Sequence, residues 1–152
     1  MDDVTFRPYR ARDFTACLRL FDSNTPEFFA PDERAEFAGF LRHLDPCPYL
    51  VGERGGQVVA CGGFEGTGNS ASLTFGMVDR ALQGQGIGLA LTKARLEAIR
   101  ATAGVERVVI ETSQHSAGFY DRLGFRMTEV TENGFAPGLD RWVMVLELGG
   151  AR

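Results

Sequence analysis

The sequence predicts one mixed α/β domain, of the α+β kind, spanning residues 1–152, and three observations carry that expectation. Strand-like and helix-like runs succeed one another in the order β-α-α-β-β-β-α-β-α-β-β. A glycine-rich loop stands between a strand-like run, Ser72 to Val78, and a helix-like run, Ile87 to Thr102. With 44% hydrophobic and 24% charged residues, a chain of 152 residues can bury an ordinary core without a disulfide or metal staple.

Each element has its own signal. Thr5 to Pro8 reads as a short strand, and Ala11 to Asp22 carries apolar residues at helical spacing. Pro31 followed by Asp32 and Glu33 starts a helix that runs to about His43, because proline suits a first turn and acids favour its dipole. Tyr49 to Glu53 and Gln57 to Glu65 flank a Gly55-Gly56 turn as a hairpin, and Ser72 to Val78 is the next strand. On the main helix Ile87, Leu91, Ala94 and Ala98 form a stripe expected to be buried, and Gly104 ends the segment. Val108-Val109-Ile110 is an uninterrupted apolar run, as in a strand covered on both faces. A short helix from Ser116 to Leu123 stops at Gly124, and two last strands surround a loop from Asn133 to Gly138.

The loop Gln83-Gly84-Gln85-Gly86-Ile87-Gly88 carries the chemistry. Glycines let the backbone turn tightly beside an anion, and the first N–H groups of the following helix lack intrahelical partners and point at it. A pyrophosphate cradle is therefore expected. A dinucleotide fingerprint would need glycine or alanine where Leu89 and Leu91 stand. A triphosphate P-loop would need a lysine in the loop, but the chain's only lysine is Lys93, two turns into the helix.

What remains is the pattern Gln83-x-x-Gly86-x-Gly88, which resembles the acyl-CoA loop Q/R-x-x-G-x-G/A of the GCN5-related N-acetyltransferases. Downstream, the run from Ser113 through Tyr120 to Gly124-Phe125 resembles that family's N-x-x-A-x-x-x-Y-x-x-x-G-F segment. Two motifs in the right order extend the resemblance over most of the chain. Two positions depart from it: Ser113 replaces the usual Asn, and Arg80 stands where a proline often follows the pantetheine strand.

The resemblance implies a mixed, mostly antiparallel sheet of six to seven strands flanked by about four helices. That sheet would splay between its fourth and fifth strands, Ser72 to Val78 and Arg107 to Thr112. It implies acetyl-CoA as acyl donor, with pantetheine bonding to backbone around Met77 and Val78 as an added strand would. Gln83, Gly84, Gln85, Gly86, Ile87, Gly88 and Leu89 would hold the pyrophosphate, and Ser113 is a further candidate CoA contact. No metal is implied.

Acyl transfer to an amine needs a base for the ammonium, stabilisation of the thioester oxygen and a proton for the departing sulfur. By the resemblance Tyr120 is the candidate acid, against a reading as an aromatic core residue beside Phe119. Many family members carry a glutamate early in the fourth strand, where this chain offers only Ser72 and Thr74. Glu65 is the named candidate base, with Glu111 or a water chain ordered by Ser72 or Thr74 as alternatives. His115 reads as a polar turn residue.

The acceptor pocket is expected between the first two helices and the loop before the last strand. Phe28 and Phe29, with carboxylates nearby, suit a cationic amine of a small molecule or peptide. The alternative is that these rings pin the helices to the sheet.

Composition narrows the partners. A formal net charge of −4 with scattered arginines argues against nucleic acid, and with it against an acetyltransferase of aminoacyl-tRNA. The charged start, Met1-Asp2-Asp3, and the lack of a long apolar run make a cytoplasmic protein without a membrane partner the expectation. Cys17, Cys47 and Cys61 lack a disulfide or zinc spacing, and Cys17 shares an apolar face with Phe14, Leu18 and Phe21. A homodimer is the oligomer that the resemblance implies. The rival to the enzyme is a non-catalytic acyl-CoA-binding sensor module, which the missing strand-four glutamate favours.

Overall fold

The computed structural model describes residues 3–44 and 48–148, so the readings that fall on Met1, Asp2 and Cys47 lie outside the described residues. The elements are β1 (Thr5–Pro8), α1 (Phe14–Ser23), α2 (Glu33–Arg42), β2 (Tyr49–Arg54), β3 (Gln57–Thr67) and β4 (Ser70–Val78). They continue with α3 (Ile87–Arg100), β5 (Arg107–Thr112), α4 (Ala117–Arg122), β6 (Arg126–Ala136) and β7 (Leu139–Glu147). The sheet order is β1-β2-β3-β4-β5-β7-β6, antiparallel throughout except for β4 and β5. That parallel contact consists only of Ser70 with Arg107, Ala71 with Val108 and Ser72 with Val109. Beyond Ser72 the two strands separate, so the splay expected between the fourth and fifth strands is present.

Alternation along β3 sends Ala60 and Cys61 to opposite faces of the sheet. Cys61 joins Val51 and Met77 beneath Cys17 and Phe21 of α1 and Phe37 of α2. Ala60 joins Ile87 and Leu91 of α3, while Leu96 and Ile99 cover Val108 and Ile110 together with Phe125. Phe21 and Phe37 are fully enclosed, and burial on that scale stabilises by ~1.5–3 kcal/mol per side chain. Cys17 is packing rather than chemistry: a hydrogen bond with neighbouring Cys61 and burial push its thiol pKa far up.

Several expectations need correction. The first helix begins as a separate 3-10 turn, Ala11–Asp13, because the Asp13 carboxylate accepts the Arg10 N–H at 2.8 Å and a bidentate pair from Arg7. The buried side of α3 is Ile87, Leu91, Thr92, Arg95, Leu96 and Ile99, whereas Ala94 and Ala98 are only half-buried. The sheet lies against the neighbouring side of the helix, which brings an arginine inside. The loop from Asn133 to Gly138 is mostly strand: β6 runs to Ala136 and only the turn at 137–138 separates it from β7. Asn133 closes that tip by accepting the Gly138 N–H at 2.7 Å. Among the described residues no helix is long and apolar enough to cross a membrane.

Candidate functional site

The loop after β4 has the backbone an anion cradle needs. Gly84 and Gly86 have φ of 86° and 85°, where an L side chain is strained, and nothing lies within 4 Å of a Cβ built at either. Their requirement is therefore conformational, and the space beside them is open to a bound group. Gly86 is the N-cap of α3 and no side chain caps this helix, so the first-turn N–H groups are left for a ligand. Gly88 differs: its φ is ordinary, and a Cβ there would sit 3.7 Å from Val78 Cγ2.

The loop is tied to α1 through Asn24, which is 3% exposed. Asn24 Nδ2 donates to the carbonyls of Leu20 and Val78, each at 2.8 Å, and its Oδ1 accepts from Gln83 Nε2 at 2.9 Å. Gln83 Oε1 in turn accepts from Arg80 at 2.7 Å. Gln85 turns outward to Arg54, while the other candidate loop residues border the cavity described next.

A single cavity of about 770 Å³ begins at Gln83, Gly84 and Gly86, passes through the splay and ends among Phe28, Phe29, Glu33, Glu36 and Phe135. Asp79 N–H bonds to Val59 O on β3, so the alternation of the ladder turns Met77 toward β3 and Val78 toward the splay. Of the two candidate pantetheine contacts, Val78 presents the backbone edge. Its carbonyl already accepts from Asn24.

Further up β4, Phe75 and Gly76 both stand opposite Gly62, a β-bulge that leaves one residue unpaired. Phe75 has φ of 34°, a conformation that costs a non-glycine residue ~1–3 kcal/mol. Three contacts help to hold it: Tyr49 Oη donates to the Phe75 carbonyl at 2.6 Å, and the Phe75 ring packs on Phe37 and Phe40 at 5.0 and 5.1 Å.

The catalytic candidates line the same cavity. The Tyr120 ring packs edge-on against Phe119 and Phe125, yet Tyr120 also borders the cavity and its hydroxyl bonds to no described residue. Ser113 is buried and its hydroxyl accepts the His115 N–H at 3.2 Å, so it is used to start α4. Glu65 lies across from Ser72 on the cavity wall. Glu111 accepts from Arg141 at 2.8 Å, which occupies its carboxylate. Among the described residues Thr74 Oγ1 is buried without a partner, a hydroxyl ready to order a water.

At the far end Phe28 meets His115 edge-on at 6.0 Å, and the Arg80 guanidinium lies 5.2 Å over its ring. Arg80 also pairs with Glu27, joining the α1–α2 segment to the glycine loop. Phe29 instead stacks on Phe21 at 4.7 Å and pins the segment to the core. Burial raises the pKa of the Glu33 carboxyl, whose Oε1 accepts the Ala30 N–H at 2.8 Å.

Residues 14–125 match the acetyltransferase (GNAT) family. The chain belongs to that family. Solved structures share its fold: the ribosomal-protein-S18-alanine N-acetyltransferase of Escherichia coli has a TM-score of 0.82 at 19% identity, covering 99% of this chain and 97% of that one. Ard1 of Thermoplasma volcanium follows at 0.80 and 20%, covering 97% and 99%. The protein yncA of Salmonella typhimurium, determined with its cofactor acetyl-CoA, has 0.74 and 22%, covering 99% and 96%. At these identities the likeness is one of fold. No curated protein matches the sequence.

Within this GNAT domain, residue patterns alone missed Asn24, Tyr49, the Phe75 bulge and Arg95. For Arg95 a signal existed: it follows Leu91 by one helical step, on the side that packs inward. Asn24 and Tyr49 act across elements distant in sequence, and nothing local announces them.

Proposed function

We propose that this GNAT chain transfers the acetyl group of acetyl-CoA to a primary amine of a small molecule or peptide, by direct attack of the amine on the thioester. One observation carries the reading: a single cavity joins the uncapped start of α3 to a half-aromatic, carboxylate-lined far end by way of the splay. Amides at Gly86 to Gly88 take the pyrophosphate, and the Val78 edge takes the pantetheine amides. Acetyl-CoA brings the activated acyl group; the remaining work falls to the chain's own residues.

A backbone N–H of the bulge at Phe75 and Gly76 is the donor for the thioester oxygen as charge builds on it. Tyr120 gives its hydroxyl proton to the departing sulfur. Glu65, directly or through a water held by Thr74, accepts the proton of the ammonium. Phe28, Glu33 and Glu36 attract and orient a cationic acceptor.

Free-thiol release from acetyl-CoA, measured over polyamines, amino acids, aminoglycosides and short peptides, tests this. Release that depends on one acceptor supports it. Silence across the panel, with acetyl-CoA still raising the melting temperature, favours the binding module, for which the ion-paired Glu111 and the lack of a carboxylate on β4 speak. With an acceptor in hand, Tyr120→Phe is expected to lower kcat roughly 100-fold with little change in KM. Unchanged turnover removes the acid role.

A further inference from the structure

Arg95 is 1% exposed, and among fully enclosed side chains of the described residues it is a large and charged exception. Its guanidinium occupies a window left by two glycines: a Cβ at Gly76 would stand 2.7 Å from Nη2, and one at Gly62 would stand 3.3 Å from Cζ. Nη1 donates a long bond of 3.4 Å to the Gly63 carbonyl, and among the described residues Nε has no acceptor. Among the described residues no ion pair reaches it. Tyr49, which feels its charge, is itself neutral because burial holds the phenol pKa far above its ordinary value. Arginine cannot shed its proton to escape burial, so an enclosed guanidinium short of acceptors calls for an anion. Arg95 borders the cavity, so a ligand can supply one.

Its position selects which part of a ligand it meets. Ile87 opens α3 beside the glycine loop and Arg95 lies eight residues on, about 12 Å along the axis at 1.5 Å per residue. A pantetheine arm that starts at a pyrophosphate on Gly86 and follows β4 back toward the bulge brings its acyl end to that level. α3 covers the sheet face opposite α1 and α2, so Arg95 approaches the acyl group from behind rather than the amine.

We propose that Arg95 receives a carboxylate at the far end of the acyl group, so that the site takes, besides acetyl-CoA, a dicarboxylic acyl-CoA such as succinyl-CoA and binds it more tightly. The proposal rests on the acyl-CoA reading of the cavity given above. In the transfer the acyl carbon–sulfur bond breaks and an acyl carbon–nitrogen bond forms. Of the two protons that the ammonium nitrogen loses in becoming an amide, one goes to the base and the other balances the proton that the sulfur takes as CoA departs. The distal carboxylate stays ionised and is carried unchanged into the amide product.

The test is calorimetric binding of CoA and two stable thioethers, S-ethyl-CoA and S-carboxypropyl-CoA, to the whole chain and to its Arg95→Met and Arg95→Lys variants. The wild type is expected to bind the carboxypropyl ligand about tenfold more tightly than the ethyl one, as a charge-assisted hydrogen bond allows. Arg95→Met should bring the ratio to about one, while Arg95→Lys should keep an intermediate preference of roughly threefold, as a point charge without the guanidinium fork. Equal affinities in the wild type, or a preference that survives in Arg95→Met, overturn the carboxylate site while leaving the CoA site standing. Failure of the wild type to bind CoA overturns both. Should Arg95→Met not fold, an unreduced preference in Arg95→Lys counts against the proposal.

Discussion

The two ends of β4 sit a few residues apart and follow different physical rules. At Ser70 to Ser72 the strand is paired on both sides, to β3 and to β5, with Ala71 and Val108 fully enclosed. From Leu73 onward β5 has moved away, and the strand carries a bulge, a residue at φ 34° and the Val78 edge that turns toward the cavity. The first end satisfies its own hydrogen bonds and contributes stability. The second leaves polar atoms open and relies on Tyr49 and Asn24 to keep that arrangement, as expected where strain and incomplete pairing prepare a site for a ligand.

Substitutions should separate the two ends. The largest stability effect is expected at the closed end, where Val108→Ala should cost about 2–3 kcal/mol in urea unfolding and leave CoA affinity unaltered. A parallel fall in CoA affinity would mean that the two ends are coupled.

The network of Arg7, Asp13 and Glu53 lies off the cavity and is the paired counterpart of Arg95. Arg7 makes bonds of 2.8, 2.8 and 3.0 Å to these two carboxylates. Asp13→Asn should cost ~2 kcal/mol at neutral pH. The Arg7 bonds hold the Asp13 pKa below its ordinary value of about 3.9, so its contribution is complete above that pH. It is lost as pH falls through the lowered folded value, so wild type and variant should converge in stability only once the pH is below that lowered value. A gap that persists in acid assigns the effect to packing.

At the open end the expected effects are on binding. Gly86→Ala forces an L side chain to φ 85° and should weaken CoA about fivefold, ~1 kcal/mol, by calorimetry. Gly88→Ala meets only an ordinary contact with Val78 and should weaken it by no more than about twofold. The reverse order would mean that the loop's grip depends on close approach at Gly88 rather than on the left-handed turn at Gly86.

Features written into neighbouring residues were legible before the fold. The glycine loop, its strand and its helix appear in sequence because positive φ and uncapped N–H groups are local requirements, and the observed φ values of Gly84 and Gly86 meet them. The element order follows from periodicity, which reports burial one segment at a time. Phe28 and Phe29 were legible as a pair but not apart, since one meets His115 and the other Phe21 only after α1 and α4 are packed. Glu65 and Glu111 likewise looked alike until Arg141, thirty residues away in sequence, took hold of Glu111.

By itself, then, the sequence determined the order of elements, the glycine loop between β4 and α3, and the resemblance that led to the family. Only the tertiary structure decided where β4 leaves β5, that Asn24 would bind the Val78 carbonyl, and that Arg95 would be enclosed between two glycines. The reason is physical. Backbone conformation and amphipathic period are set by residues within a few positions of one another. The partner of a buried polar group, or its lack of one, is set by whichever distant strand or helix the fold brings alongside.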